Sequence, residues 1–558
     1  MGYIADFYCD RCKSKWKVFY NKHKSMVEGD ACQVCTDDNQ WGTDKMVLVE
    51  PNLYTEVDYD GYDLEGKSTQ LINIVQKELD SGTKPESIAF VSFSRKAAEE
   101  ARTRAAEKLG MDVGQMVWFR TLHSFAYHCL GLTKERVLRG SDYSKIADLV
   151  GLEFSSNSSL TMQDGVLFTA GKSGDAYLSM IQMARVTGRS LEEQFRITDD
   201  WRLHFQQLKV VDQVIKDYKK ETNKVDFVDM IEEFIVQGYS PDLDVLIVDE
   251  AQDLVPLQWE MVHEIIKPKA KRIYFAGDDD QCIYSWMGVN VGDFLRASEN
   301  KIVLDKSYRL PKSIYNIADS LVKNLRTRQQ KVWKPKDETG TVVWHRDILD
   351  VDLTAGEWLI LARTNFIANK IATTIKEQGY LFWREGSGWS ISPNVLIGIE
   401  VWLKLCKDQA LSAQELKKLS TLIVSDAAVR GGRKKLANLD PEQTYTLTDI
   451  QDLFSLFVNK ETPWYEVLKV SEKERIYITS VRRMGESILT GTPRIKISTI
   501  HKAKGGEADN VALLLDSSRA CVESMDQDSE IRTFYVGLTR AKKSLHIIES
   551  QSHYGFRL

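Results

Sequence analysis

Apolar positions along this chain follow two periods, and the two alternate. Uninterrupted short runs such as Val245-Leu-Ile-Val248, Ile273-Tyr-Phe-Ala276 and Trp358-Leu-Ile-Leu-Ala362 end abruptly in polar residues. Runs of this length and flank predict strands buried on both faces, as in a parallel sheet. Between them, Thr69 to Glu78, Tyr177 to Val186 and Leu191 to Phe195 repeat apolar residues at helical spacing. Leu53 to Asp60 predicts a further strand just before the first of these helices. Strands alternating with helices predict an α/β fold.

The strand tips carry the chemistry. Val245–Val248 delivers two adjacent carboxylates, Asp249 and Glu250, to the edge where open α/β sheets bind ligands. One such carboxylate holds Mg²⁺ through its water shell, and the next orients the water that attacks a γ-phosphate. Taken alone, the same segment reads equally well as a strand entering an acidic helix N-terminus. Upstream, Gly61-Tyr-Asp-Leu-Glu-Gly66-Lys67-Ser68 fits the phosphate-binding pattern G-x4-G-K-[S/T]. Gly61 and Gly66 let backbone N–H groups approach the phosphates, Lys67 supplies a point charge, and the Ser68 hydroxyl suits Mg²⁺. Downstream, the second tip runs Gly277-Asp-Asp-Asp-Gln-Cys-Ile-Tyr-Ser-Trp286. Gln281 is placed to sense a γ-phosphate. Tyr284 and Trp286 suit either base stacking or core packing.

These segments resemble motifs II and III of the UvrD/Rep family of superfamily 1 DNA helicases, and other blocks follow in that family's order. Ile88 to Ala98 is similar to motif Ia, Thr121-Leu-His-Ser-Phe-Ala126 to Ib, and Val225-Asp-Phe-Val-Asp-Met230 to the block before motif II. Leu304 to Arg309 resembles motif IV, Ile497 to Gly505 motif V, and Phe534 to Ala541 motif VI. The resemblance implies two RecA-like P-loop NTPase domains with helical insertions, using ATP and Mg²⁺. It implies phosphate and nucleotide contacts from Gly61, Gly66, Lys67, Ser68 and Thr69, with Ser68 and Asp249 at the metal. Glu250 becomes the base for water, and Gln281 the link between γ-phosphate and DNA. Tyr308 is implied at the adenine and Glu507 at the ribose. Arg309 and Arg540 reach the γ-phosphate from the second domain as arginine fingers do. Phe93, His123, Ser124, Tyr284, Trp286, His501 and Lys504 are implied along the DNA path.

Three departures stand out, one being that no adenine-reading glutamine motif precedes the P-loop, since the surroundings of Gln40 do not match it. The P-loop contains Tyr62, Asp63, Leu64 and Glu65 where the family is small and glycine-rich, and locally resembles that of thymidylate kinases. Met287 follows the motif III tryptophan where the family usually has arginine.

The N-terminus has a separate signature. Cys9-x2-Cys12, nineteen intervening residues, and Cys32-x2-Cys35 match the spacing of a four-cysteine zinc ribbon, with Zn–S bonds of about 2.3 Å. Two disulfides and unpaired thiols are the alternatives, and a reducing compartment disfavours disulfides. The ribbon is expected to bind Zn²⁺, and ribbons of this kind bind nucleic acid, bind a protein partner or stabilise a terminus.

Composition adds limits. The 558 residues are 43% hydrophobic and 28% charged, enough for several cores. A net charge of −6 excludes an overall basic field, so nucleic acid must meet a local cleft. No apolar stretch reaches the roughly 18 residues of a membrane span, and Met1 to Asp10 lacks a signal-peptide core, so a cytoplasmic setting is expected, in a bacterium or a virus-infected host cell. The expected layout is a ribbon over 1–50, a first core over 53–125 and 200–305, and a helical insertion over 126–199. The second core takes 306–394 and 491–553, around a reduced helical insertion over 395–490.

The leading expectation is a DNA helicase acting on single strands and single/double-strand junctions, as a monomer or weak oligomer, with 3′→5′ movement implied by the family resemblance alone. Its rival is a DNA-stimulated translocase or remodeller with weak unwinding that recruits partners through the ribbon. A nucleotide kinase, suggested only by the P-loop, lacks an identifiable acceptor site.

Overall fold

The computed structural model describes residues 67–558 apart from 94, 155–171, 199–202, 305, 424–438, 455–457, 485–492 and 524–525. Before residue 67 it describes the backbone of three strands only. The chain divides into two compact units. One comprises Met1–Tyr308 with Arg326–Lys334, the other Arg309–Leu325 with Pro335–Leu558. The short segment 326–334 therefore belongs to the first unit although 309–325 and 335 onward belong to the second.

In the first unit, β1 (Ile4–Tyr8) and β2 (Lys15–Phe19) pair antiparallel. Its main sheet contains β3 (Lys45–Val49), β4 (Ile88–Ser92), β5 (Trp118–Thr121), β6 (Leu243–Asp249), β7 (Ala270–Gly277) and β8 (Asn300–Val303). The order is β5-β4-β6-β7-β3-β8, with every pairing parallel. Burial explains the patterning: all of β4 and six of seven residues in β6 are buried, so both faces of these strands are covered. Lys45–Val49 falls within the stretch expected to form the ribbon, yet it runs in this sheet between β7 and β8. The expected strand at 53–60 lies outside the described residues.

Register brings the strand ends to one edge. Ser92 pairs with both Thr121 and Asp249, and Val49 with Gly277. A helical layer spanning Leu138 to Tyr218 has its own apolar core, built around Ile146, Leu178, Leu208 and Val211. This layer extends past the expected boundary at residue 199, because Phe205–Thr222 packs into it.

The second unit carries β9 (Thr341–His345), β10 (Trp358–Ala362), β11 (Phe382–Arg384), β12 (Gly388–Trp389), β15 (Ile495–Thr499), β16 (Ala508–Leu514) and β17 (Ala541–Ile548). Two short strands, β13 (Leu411–Ser412) and β14 (Thr444–Tyr445), form a separate ribbon. The main order is β12-β11-β15-β10-β16-β17-β9, parallel except for β12. Pro393–Cys406, Ala413–Ser420 and Glu472–Arg483 build a second helical core around Trp402, Leu405, Leu416 and Ile478. Among the described residues, no helix is long and apolar enough to cross a membrane.

Candidate nucleotide and nucleic-acid site

Lys67 opens the helix Lys67–Asp80, while Asp249 ends β6. The two meet: Lys67 Nζ lies 3.0 Å from Asp249 Oδ1 and also donates to Glu250 Oε1. Glu250 adopts a left-handed backbone at φ 54°, which an L-residue with a long side chain rarely takes. Its N–H donates to Asp249 Oδ1 at 2.9 Å, so the turn is closed by the carboxylate preceding it. Asp249 is buried, and burial pushes its carboxyl above the usual carboxylate range against the pull of Lys67. The donor set is two hard carboxylates beside an ammonium, which fits phosphate and Mg²⁺. Gly61 and Gly66 lie outside the described residues, and Ser68 is described only in its backbone. Thr69 is half-buried in the same first helical turn.

A residue not singled out from sequence ties the two strand tips together. The buried Gln252 donates to Glu250 Oε2 at 2.6 Å, and its Oε1 accepts the Asp278 N–H at 3.1 Å. Gly277 makes this approach feasible, since a Cβ there would sit 2.1 Å from Gln252 Oε1. Gln281 donates to Asp278 Oδ2 at 2.7 Å. Glu250 and Gln281 are thus linked through Gln252 and Asp278.

The aromatic residues separate into buried and exposed. Tyr284 is 4% exposed and stacks on the buried Phe93, with centroids 5.6 Å apart and planes at 26°. The Tyr284 ring is thus covered, with Phe93 on one of its faces. Trp286 is 41% exposed. Tyr308, also exposed, has Lys306 Nζ 5.1 Å from its ring centroid.

His123 is buried, edge-on to Phe227 at 6.0 Å, and its Nε2 has no hydrogen-bond partner. Burial lowers its pKa to about 4, so the ring is neutral near pH 7. Ser124 accepts from Arg120 at 3.3 Å and helps cap its helix through Thr121. Both residues line a cavity of about 610 Å³ whose other walls include Arg95, Tyr127, Lys134 and Arg139. The cations around this cavity, not His123 itself, supply its positive charge. The block Val225–Met230 lies beside it. There Asp226 caps Phe227–Gln237 and pairs with Arg185 at 2.9 Å and Lys219 at 2.9 Å.

In the second unit, Arg309 Nε donates to Glu507 Oε2 at 2.8 Å, both groups being partly exposed. Arg540 is 1% exposed, and its Nε donates to the Val536 carbonyl at 2.9 Å. A second nitrogen donates to the Gly506 carbonyl at 3.3 Å. Motif VI thereby holds Arg540 against the turn preceding Glu507. His501 and Lys504 are half-buried within the same connection between β15 and β16. Cys9, Cys12, Cys32 and Cys35 lie outside the described residues. Among the described residues, Cys129, Cys282, Cys406 and Cys521 are scattered over both units and outside any disulfide.

Residues 65–301 match the UvrD/REP helicase N-terminal domain, and residues 398–552 match the UvrD-like helicase C-terminal domain. The chain is similar to the ATP-dependent DNA helicase PcrA of Bacillus subtilis, 22% identical over 587 aligned positions. That match covers 84% of this chain and 77% of the relative. PcrA of Leuconostoc citreum is 24% identical over 47% of this chain and 36% of its own length. PcrA of Staphylococcus epidermidis is 26% identical over 48% of this chain and 38% of its own length.

Proposed function

The chain belongs to the UvrD-like helicases, and from that premise we propose that it is an ATP-dependent DNA helicase moving 3′→5′ along single strands and opening the duplex ahead. The observation that carries this reading is the meeting of Lys67, Asp249 and Glu250 at the C-terminal edge of a parallel sheet.

Lys67 holds the β- and γ-phosphates, and Asp249 with Ser68 holds Mg²⁺, which neutralises phosphate charge when bound. Glu250 takes the proton of the attacking water. Its left-handed backbone and the Gln252 amide fix the direction of the carboxylate, and Lys67 exchanges its contact with Glu250 for the phosphates when nucleotide enters. Arg309 and Arg540 are assigned to the charge on the transferring phosphoryl group, Tyr308 to the adenine and Glu507 to the ribose. Gln281 is assigned to reporting the γ-phosphate to the DNA-binding residues. Its linkage to Glu250 through Asp278 and Gln252 supports that role.

Trp286 is the stacking platform on the DNA path, supported by its exposure a few residues from Gln281. His501, Lys504 and Ser124 add polar contacts. The cavity beside Ser124 contributes cations to a strand in a protein whose overall charge is negative. We also propose that Cys9, Cys12, Cys32 and Cys35 hold one zinc ion. Support comes from their spacing and from the antiparallel pairing of β1 with β2, whose connection contains Cys9 and Cys12.

ATP-dependent unwinding of matched 3′-tailed and 5′-tailed duplexes tests the reading. Separation of the 3′-tailed substrate alone is expected. Preference for the 5′ tail overturns the polarity, and displacement of bound protein without strand separation favours a remodeller.

A further inference from the structure

The second strand tip ends in three consecutive acids, and all three are buried. Asp278, Asp279 and Asp280 bring carboxylate oxygens within 4.8 Å of one another, a spacing that suits a cation. The cation there belongs to the chain. Lys331, its side chain fully buried, places Nζ 2.8 Å from Asp278, 2.5 Å from Asp279 and 3.0 Å from Asp280. Arg328 grips Asp280 with two nitrogens at 3.0 and 2.7 Å, and the Gln329 N–H donates to Asp279 at 2.7 Å. The segment Arg326–Lys334 is therefore a strap fastened across the tip of β7, with both ends continuing into residues of the second unit.

The strap bears on chemistry through Asp278. One Asp278 oxygen takes the Lys331 ammonium at 2.8 Å, and the other takes the Gln281 amide at 2.7 Å. The Gln281 amide nitrogen, not its oxygen, meets Asp278, and that contact sets the orientation of the whole amide. The Asp278 N–H is held in turn by Gln252, which also holds Glu250. Lys331 thus stands two contacts from the proposed coupling glutamine.

We propose that Lys331, assisted by Arg328, is a positioning residue for ATP turnover: it fixes Asp278 so that Gln281 faces the γ-phosphate in one orientation. This rests on the assignment of Gln281 made above. An ammonium here also supplies what a divalent ion would otherwise supply, so the acidic triad is a structural clamp and no metal site.

The test compares Lys331→Met, Asp278→Asn, Gln281→Ala and the Lys331→Met/Gln281→Ala double variant. The measurements are DNA-stimulated kcat, KM for ATP and the urea unfolding midpoint. Gln281→Ala is expected to lower kcat about tenfold with KM changed less than about twofold. Lys331→Met should do the same, and the double variant should fall no more than about twofold below the worse single one, because both act through one amide. Lys331→Met leaves three buried acids short of a cation and is the variant most exposed to misfolding. Asp278→Asn keeps the shape and removes one charge. Its Nδ2 faces Gln281 in place of Oδ2, turning the glutamine amide over, and the same loss of kcat is expected at an unchanged unfolding midpoint. Full activity of Gln281→Ala would remove the coupling role of Gln281 and the clamp's purpose with it. A reduced Gln281→Ala beside a fully active Asp278→Asn, or losses that multiply in the double variant, would overturn the clamp alone.

Discussion

Lys67 Nζ and Asp249 Oδ1 lie 3.0 Å apart, joining the first residue of a helix to the last residue of a strand across 182 positions of sequence. With Glu250 on the same ammonium, one cation serves two carboxylates whose proposed tasks differ. Asp249 belongs with the metal and Glu250 with the water. Glu250→Gln retains a side chain of the same shape, so ATP binding should persist. DNA-stimulated hydrolysis should fall by about 10²-fold or more, because the base is lost while the phosphate ligands remain. Single-turnover hydrolysis beside equilibrium nucleotide binding separates the two, and near-normal turnover would remove Glu250 from its role.

Trp286 is open to solvent where Tyr284 is not. Stacking on an aromatic contributes about 1–3 kcal/mol per base. Trp286→Ala should therefore weaken binding of an unstructured oligonucleotide by roughly 5- to 150-fold. Tyr284→Leu should instead lower stability, because its ring packs on Phe93. Oligonucleotide titration and thermal unfolding of both variants check the division of labour. Unchanged affinity in Trp286→Ala would place the DNA path elsewhere.

Much of this arrangement was legible in the chain, for a physical reason. Parallel strands buried on both faces leave continuous apolar runs, so β6, β7 and β10 announce themselves, and acids at their ends point to the site. Other parts had no local signal. Tyr284 and Trp286 are two residues apart and equally aromatic, and only tertiary packing decides which ring is covered. Lys331 sits in a basic stretch that resembles a solvated surface, yet its partners lie about fifty positions upstream. Gln252 looks like one more polar residue after Glu250. Its role depends on Gly277, whose missing side chain admits it. Lys45–Val49 is a five-residue run amid polar neighbours, and its membership of the first sheet comes from the partners β7 and β8.

His123 gives a pH dependence. Its folded pKa of about 4 lies below the unfolded value near 6.5, so the unfolded chain binds the extra proton first. The contribution of neutral His123 is complete above pH 6.5 and is lost as pH falls from 6.5 toward 4. A shift of this size corresponds to at most about 3 kcal/mol. His123→Asn should flatten the pH dependence of the urea midpoint over that interval, relative to the parent. Parallel curves for the two proteins would show that His123 titrates normally.

Purified protein is expected to carry one zinc ion per chain, lost when Cys9 and Cys32 are replaced together. Elemental analysis of protein prepared without chelators checks this, and absence of zinc would reject the four-cysteine assignment. Metal release by chelators should grow easier at low pH, since the thiolates must reprotonate.

The strap over the tip of β7 decides how this protein can be taken apart. A cut after Tyr308 appears natural on the linear map, since nearly all of the first unit precedes it. Such a fragment would keep Asp278, Asp279 and Asp280 but lose Lys331 and Arg328, leaving three adjacent carboxylates without the cations that balance them. Removing one partner of a buried ion pair costs about 3–5 kcal/mol, comparable to much of a domain's stability. Expression of residues 1–308 should yield aggregated material, whereas grafting 326–334 back through a short linker should recover soluble protein. The boundary of this unit is therefore a matter of charge balance, and it does not coincide with any single point along the chain.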